Sequence, residues 1–276
     1  MSAVKNAIVE AVDRLAEELD GLSLKIHANP ELGYQEAKAS SWLADFLERH
    51  GLKVERGVGG IDTAFRATIE NGSGPNIAIL CEYDALPEIG HACGHNVIAS
   101  AGAGAGAALA AVRANLPPGR IQIIGTPAEE GGGGKIKLLS AGVFDGVDCA
   151  MMIHGLDRFL LHSLLLGIVR VTLEFHGKAA HASAAPWKGI NALDAVLQTF
   201  NGINALRQHL RPDVRIHGII THGGVAPNII PEYAAATFYV RAASMAYLRE
   251  VQKKVIAGAE GAAAATGARL QVGQDE

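Results

Sequence analysis

Several features that mark whole classes of protein are scarce in this sequence. It has three cysteines in 276 residues, an odd and small number that argues against a disulfide framework and favours a reducing compartment. Lysine and arginine total 24 against 28 aspartates and glutamates, so the net charge of −4 gives no electrostatic case for nucleic acid or an anionic membrane as partner. Aromatic residues are only 5%, while alanine and glycine are abundant, which lets helices pack closely.

Long apolar runs are also missing. No stretch is long and apolar enough to span a bilayer, and charged residues interrupt every apolar run near the N-terminus. The sequence therefore predicts no membrane association and no signal peptide, and a cytoplasmic location is the default expectation. With 49% hydrophobic residues, the chain can bury the core of two domains or of one large one.

The first half of the chain alternates helical and strand patterns. Apolar residues recur at helical spacing from Val4 to Leu22, and a second helical pattern over residues 36–50 stops at Gly51. Strands are predicted at 62–69, 76–81, 120–125 and 147–153, and further helices at 97–114 and 135–141. This alternation predicts an α/β catalytic domain over residues 1–166 with a mostly parallel sheet, whose sites form where strands end.

The second half has a different order of elements. Its patterns predict strand, helix, two strands, helix and strand, which is the ferredoxin-like βαββαβ arrangement. The ends of that fold lie close together, which suits a domain inserted into another. We therefore expect a second domain over residues 167–276, with the boundary near Gly167.

Metal-ligand chemistry is concentrated in three short segments. The first contains Cys93 and His95, the second the adjacent pair Glu129 and Glu130, and the third His154. A thiolate, imidazoles and a carboxylate are the ligands that zinc and similar cations take. An adjacent second carboxylate can serve as the base that hydrolysis needs beside a metal-activated water. The combination predicts a metal-dependent hydrolase.

Other interpretations of these residues have to be weighed. A cysteine is more often a small buried apolar group than a ligand, and His154 alone fits a core histidine equally well. The glutamate pair alone fits a solvated helix start. A thiol hydrolase built on Cys93 and His95 is a further interpretation, although the two lie very close in sequence and it leaves the glutamates without a role.

Two glycine-rich stretches superficially resemble nucleotide-binding motifs. Residues 131–135 read GGGGK, but Ile136 stands where a phosphate loop has serine or threonine. Residues 102–107 superficially fit a dinucleotide-binding fingerprint, but they follow a helix start rather than a strand. The acidic residue that would bind a ribose is also absent, because no Asp or Glu occurs between Glu88 and Glu129. Close helix packing explains the second stretch better, and backbone approach to a metal site or substrate explains the first.

The segments around these residues resemble a metal-dependent amidohydrolase and peptidase family. That family includes aminoacylases, hippurate hydrolases, auxin-conjugate hydrolases and p-aminobenzoyl-glutamate hydrolase. Asn96, where many members have Asp, and residues 82–84 are similar to the p-aminobenzoyl-glutamate and dipeptide-hydrolysing branch. The matching segments span nearly the whole chain in the family's order: 27–33 (HANPELG), 81–96 (CEYDALPEIGHACGHN), 127–134 (PAEEGGGG), 177–182 (GKAAHA) and 223–232 (GGVAPNIIPE).

The resemblance implies roles for individual residues of the first domain. Glu129 would be the general base that takes a proton from the water and returns it to the leaving amine. Asp84 would orient a metal ligand. Two divalent metal ions, zinc, manganese or cobalt, would be bound by Cys93, His95, Glu130 and His154.

The resemblance also implies a lid domain that forms a homodimer. His181 in that lid would polarise the scissile carbonyl, across the dimer in one arrangement. Asn228 and Arg241 would hold the substrate's carboxylate, a task that suits the bidentate geometry of arginine. A surface charge at a strand end is the alternative for Arg241. The substrate would be an N-acyl amino acid, a dipeptide or p-aminobenzoyl-glutamate.

The sequence differs from the family pattern in one respect. Members usually return from the lid to the first domain, which adds strands and a final histidine ligand, whereas no histidine follows His222 here. We therefore expect a truncated chain, an incomplete first sheet, a metal site short of one ligand, and little activity from these 276 residues alone. The alternative function is a catalytically inactive dimerisation or interaction module.

Overall fold

The structure, a computed structural model, describes residues 3–161 and 165–275. The chain divides into two compact units, Met1–Phe159 and Leu160–Glu276, each with its own hydrophobic core. A catalytic domain and a lid that meet near Gly167 stay a prediction. In the described part of the chain, no helix combines the length and the apolar character that crossing a membrane requires.

Among its described residues, the first unit contains a five-stranded sheet and four α-helices. The strand order in the sheet is β1-β2-β4-β3-β5. In chain order, the elements are α1 (Ala3–His27), α2 (Ala37–Arg49), β1 (Lys53–Arg56), β2 (Phe65–Asn71), β3 (Asn76–Cys81), α3 (His95–Ala111), β4 (Gly119–Gly125), α4 (Gly134–Ser140) and β5 (Cys149–Met151).

The predicted α/β layer is confirmed, but its sheet is mixed rather than mostly parallel. Strand β3 pairs parallel with β4 and β5, whereas β2 pairs antiparallel with both β1 and β4. The reason is connectivity: a short loop returns the chain from β1 to β2, while the longer crossover through α3 makes β3 and β4 parallel. The short charged strand β1, sequence KVER, has no apolar alternation that predicts it.

The glycines of α3 have the packing role that the sequence predicted. A Cβ on Gly104 would lie 2.7 Å from a methyl carbon of Leu19 on α1. A Cβ on Gly106 would lie 2.6 Å from the side chain of Ile123 on β4. Because real Cβ atoms do not approach other atoms so closely, a side chain at either position would force its neighbours to shift, and glycine lets α3 pack directly between α1 and the sheet.

The second unit has the predicted ferredoxin-like arrangement. Its antiparallel sheet has the order β7-β8-β6-β9. Residues alternate along β6, so that Val171, Leu173 and Phe175 are buried in one core with residues of the two helices. The elements are β6 (Gly167–His176), α5 (Ala192–Arg207), β7 (Arg215–His222), β8 (Tyr233–Ala242), α6 (Met245–Thr266) and β9 (Arg269–Asp275).

Candidate metal centre

The ends of the three parallel strands of the first unit position the candidate site. Strand β3 ends at Cys81, β4 at Gly125 and β5 at Met151. The carboxyl ends of parallel strands meet at one edge of a sheet, and the loops that follow them line the crevice there. Each sequence-predicted ligand segment of the first unit therefore starts from the same edge.

His95 lies at the centre of the site, at the first residue of α3. The preceding Gly94 has a φ of 79°, a left-handed conformation that glycine adopts at little cost. The His95 side chain is fully buried, and its Nδ1 lies 2.9 Å from the carbonyl oxygen and 3.1 Å from Oδ1 of Asp84. Because both of these atoms are acceptors, Nδ1 carries the proton of the neutral ring, and Nε2 presents a lone pair.

The other predicted ligands converge on His95. Its ligand atoms and those of Cys93 and His154 lie within 4.8 Å of one another, and the same holds for His95 with Glu129 and Glu130. The Cys93 Sγ is 3.6 Å from the His154 Nε2, and Glu129 Oε2 is 3.8 Å from the His95 Nε2. His95 is shared by both three-residue clusters.

These donors fit a divalent cation of the kind the sequence predicted. A thiolate, two imidazoles and carboxylates are the ligand types of zinc and its neighbours among the transition metals. In addition, the buried Nε2 of His95 has no hydrogen-bond partner among the described residues. A buried nitrogen without a partner is costly, and coordination of a cation would satisfy it.

Negative charge is concentrated at the site. Burial raises the pKa of the Cys93 thiol to about 11, and the charge of Glu130 acts in the same direction. Burial also raises the pKa of Glu129, with a further contribution from Glu82, while Lys135 opposes it. A bound cation would have the opposite effect on these pKa values, since it deprotonates a coordinating thiol and stabilises carboxylates as anions.

Asp84 connects two of the converging side chains. Burial would raise the pKa of its carboxyl, but the hydrogen bonds from His95 and from backbone N–H groups outweigh burial and lower the pKa. While Oδ1 faces His95, Oδ2 accepts the backbone N–H of Glu130 at 2.8 Å. One carboxylate thereby orients the ring of His95 and fixes the backbone beneath Glu130.

A second loop holds the segment that carries Glu129, and the sequence analysis did not identify it. The buried carboxylate of Glu36 accepts the backbone N–H of Ala128 at 2.8 Å. The hydroxyl of Tyr34 donates to the carbonyl oxygen of Gly132. Ala128 itself has a φ of 56°, which is rare and costly for a residue with a side chain. The two contacts hold this strained loop on both sides of Glu129.

The buried position of Glu36 gives a pH-dependent prediction. Burial raises the pKa of its carboxyl above the ordinary value of 4.5, so its protonated form favours the folded state. That stabilisation is complete below the unfolded-state pKa and is lost as pH rises through the folded-state pKa. The Glu36→Gln variant stays neutral and keeps an acceptor for Ala128, so we expect it to be more stable than the wild-type protein at pH 7.

The measurement is urea unfolding of both proteins at pH 7 and near pH 4. The gain in the unfolding midpoint of Glu36→Gln should shrink towards zero at the lower pH, because the wild-type carboxyl is then protonated in both states. Glu17 is exposed on α1, so Glu17→Gln serves as the control and should show no pH-dependent gain in the unfolding midpoint. A wild-type protein that is the more stable of the two at pH 7 would contradict the prediction.

The predicted residues of the second unit are not all brought together. Residues His181 and Ile229 form an isolated β-bridge, and the N–H of Ala182 donates to the carbonyl of Asn228 at 3.0 Å, so His181 and Asn228 lie side by side. Arg241, however, lies near the far end of β8. It is eight residues beyond Tyr233, or roughly 26 Å at 3.3 Å per residue. Within one chain, Arg241 and Asn228 do not converge.

Comparisons with known proteins agree with this architecture. Residues 165–266 match the model of the M20 peptidase dimerisation domain. The chain is 41% identical to the Xaa-Arg dipeptidase of Mus musculus and covers 66% of it, with 99% of this chain aligned. It is 34% identical to a subunit of the p-aminobenzoyl-glutamate hydrolase of Escherichia coli, of which it covers 59%, with 96% of this chain aligned. The chain thus spans 66% and 59% of the length of these two curated relatives.

A solved structure supports the fold. The YXEP protein of Bacillus subtilis, described as a dinuclear metal-binding peptidase of the M20 family, superposes with a TM-score of 0.76. The alignment covers 95% of this chain and 74% of that protein at 24% identity. The dimerisation-domain match and the likeness to the dipeptidase and the hydrolase subunit confirm the family that the sequence motifs indicated. The chain therefore belongs to the M20 family of metal-dependent peptidases and amidohydrolases.

Proposed function

We propose that this chain carries the metal centre and the lid of an amidohydrolase that cleaves the amide bond of a dipeptide, an N-acyl amino acid or p-aminobenzoyl-glutamate. The observation that carries the proposal is the convergence of four donor side chains on His95, whose buried Nε2 has no hydrogen-bond partner in the described part of the chain. The names of the relatives, an Xaa-Arg dipeptidase and a p-aminobenzoyl-glutamate hydrolase subunit, support the substrate class.

The proposed centre holds two divalent ions. When bound, these ions would act as Lewis acids and lower the pKa of the attacking water. Zinc, manganese and cobalt all suit a mixed set of sulfur, nitrogen and oxygen donors. The proposed ligands are Cys93, His95, Glu130 and His154.

Glu129 is the proposed general base. Its side chain is 41% exposed, so water can reach it, and its neighbours raise its pKa towards the range in which a carboxylate accepts protons efficiently. It would take the proton of the attacking water and deliver it to the amine that leaves. Asp84 contributes by holding His95 in the tautomer whose Nε2 lone pair faces the site.

The lid residues would bind the substrate. We assign polarisation of the scissile carbonyl to His181 and recognition of a carboxylate to Asn228 and Arg241. Asn228 lies in the loop before β8 and Arg241 near the far end of that strand, so both can contact one substrate only if two copies of the chain contribute. This geometry supports a homodimer formed through the lid, and the exposed edge strand β7 is a suitable contact.

The alternative of a thiol hydrolase has less support. A catalytic cysteine needs a depressed pKa, whereas burial raises that of Cys93 to about 11.

The three cysteines are unpaired, which supports a reducing compartment such as the cytoplasm.

The test of the proposed function is metal-dependent hydrolysis. It uses the 276-residue chain and the same chain extended by any coding sequence that follows it in frame, with an Xaa-Arg dipeptide, p-aminobenzoyl-glutamate and an N-acetyl amino acid as substrates. We expect a chelator to abolish release of the amine product, and zinc, manganese or cobalt to restore it. Hydrolysis that resists the chelator but is lost on thiol alkylation would indicate a thiol enzyme. Dimers without hydrolysis in both proteins would indicate an inactive interaction module.

A further inference from the structure

A carboxylate without an assigned role lies against the metal centre. Glu82 directly follows β3, and its side chain is only 2% exposed. It belongs to neither of the two three-residue clusters, yet its Oε2 lies 3.4 Å from the Nε2 of His95, the ring nitrogen of the residue that both clusters share. Burying a carboxylate at such a place is costly unless both of its oxygens are compensated.

Only one of the two oxygens of Glu82 has a hydrogen-bond partner among the described residues. Its Oε1 forms an ion pair with the ammonium group of Lys135 on α4. Its Oε2 is buried and has no hydrogen-bond partner in that part of the chain, as is also true of the His95 Nε2 that it faces. Two buried polar atoms without hydrogen-bond partners thus face each other.

When the ring of His95 is neutral, its tautomer makes this contact unfavourable by itself. Since Nδ1 donates to Asp84, the neutral ring presents a lone pair at Nε2, and Glu82 Oε2 also offers only lone pairs. Two such acceptors gain nothing from each other, so without a metal the contact is favourable only when the ring carries a second proton. Burial lowers the pKa of His95, but the hydrogen bond to Asp84 and the charge of Glu82 outweigh burial and raise it. A cation that accepts a lone pair from each would convert the contact into two bonds.

The separation of the two atoms suits shared coordination. Zinc–nitrogen and zinc–oxygen bonds are about 2.0–2.2 Å long, so two ligands at a tetrahedral angle lie roughly 3.4 Å apart. The observed distance between Glu82 Oε2 and His95 Nε2 is 3.4 Å. Lys135 meanwhile binds the other oxygen, which is how ligating carboxylates are commonly held.

We propose that Glu82 is a further metal ligand, which binds through Oε2 the same cation as His95 Nε2. This inference rests on the proposed function, in that His95 must bind a cation. It adds an anionic oxygen donor to the centre and assigns Lys135 the positioning of that donor. A carboxylate that strengthens the hold on the cation also favours hard, oxygen-preferring ions such as manganese over soft ones.

The experiment measures zinc affinity at pH 8 by competition with a chromophoric chelator, using the full chain without substrate. Glu82→Gln keeps the size of the side chain and an acceptor for Lys135 but removes the anionic donor. We expect its dissociation constant for zinc to rise at least about tenfold, the lower end of what a change around a metal ligand costs. Glu88→Gln, which removes an exposed carboxylate from the same loop, is the matched control and should leave the affinity unchanged.

A third variant separates a ligand from a merely structural partner of Lys135. Lys135→Met removes the ion pair from the other side and leaves the anionic Oε2 in place. Because Lys135 positions that donor, we expect zinc binding to weaken, but by less than in Glu82→Gln, which removes the donor itself. If Glu82 only anchors Lys135, Glu82→Gln and Lys135→Met should instead change the affinity alike. The ligand-field absorption of bound cobalt should also shift in Glu82→Gln and stay unchanged in Glu88→Gln.

The outcomes distinguish this inference from the proposed function. Wild-type zinc affinity and an unaltered cobalt spectrum in Glu82→Gln, together with weakened binding in Cys93→Ser, would overturn the role of Glu82 alone. Wild-type affinity in both variants would overturn the metal centre and this inference with it. Thermal unfolding of each variant without added metal confirms that a change in affinity does not come from loss of the fold.

Discussion

Replacement of Glu129 by glutamine should lower turnover by about 10²–10⁴-fold, the usual range for loss of a general base. The amide that replaces the carboxylate cannot accept the proton of the attacking water at neutral pH, and it cannot return one to the leaving amine. Metal binding should be nearly intact, because the predicted ligands, including the adjacent Glu130, are unchanged. The expected result is therefore loss of kcat without loss of metal.

The measurement combines steady-state kinetics with metal analysis on the chain extended by any coding sequence that follows it in frame. Glu88→Gln is the control for the loss of one carboxylate and should retain wild-type turnover, since its side chain is exposed on the loop after β3. Turnover of Glu129→Gln within a few-fold of wild type would refute the assignment of the base. Loss of metal in the same variant would indicate instead that Glu129 is itself a ligand.

Replacement of Cys93 by serine should weaken zinc binding by more than about 100-fold. Changes in the partners that surround metal ligands already cost 10–100-fold, and this change removes a ligand itself. Serine has nearly the shape of cysteine, and Cys93 is only partly buried, so the fold should survive the exchange. In the cobalt-loaded protein, the absorption that arises from the thiolate–cobalt bond should disappear with Cys93.

Cys149 provides a matched control for this experiment. It lies exposed in β5, in the same unit as Cys93, and it is in neither of the ligand clusters. Cys149→Ser should therefore keep both the zinc affinity and the cobalt–thiolate absorption. Retention of that absorption in Cys93→Ser, or its loss in Cys149→Ser, would show that the thiol of Cys93 is not the sulfur donor.

Much of the fold could be predicted because its signals are local. Helical spacing predicted α1 and α5, and short apolar runs predicted β3 within its observed bounds, Asn76–Cys81. Strand order has no comparable local signal. It depends on which strand edges pair after the chain has crossed the sheet. The antiparallel pairing of β2 with β1 and β4 makes the sheet mixed, where a mostly parallel sheet was predicted.

In the lid, too, the sequence predicted the elements and the candidate residues but not how those residues are placed. Its order of strands and helices could be predicted from the sequence, as could the choice of His181, Asn228 and Arg241 as candidates. Their distances could not, since they depend on the register of β8 against its neighbours. The register places Arg241 opposite Ile168, far from the loop segments that bring His181 beside Asn228.

The sequence by itself determined the donor atoms of the candidate site, because cysteine, histidine and paired glutamates in short motifs carry the same ligand chemistry wherever they fold. Only the tertiary structure decided how these donors are supported. The carboxylate of Glu36 reaches a backbone N–H 92 residues away, that of Asp84 one 46 residues away, and Lys135 meets Glu82 across 53 residues. Such contacts depend on which loops the sheet brings to one edge and which carboxylates it buries there. Neither the spacing nor the type of these residues in the sequence specifies which of them will meet.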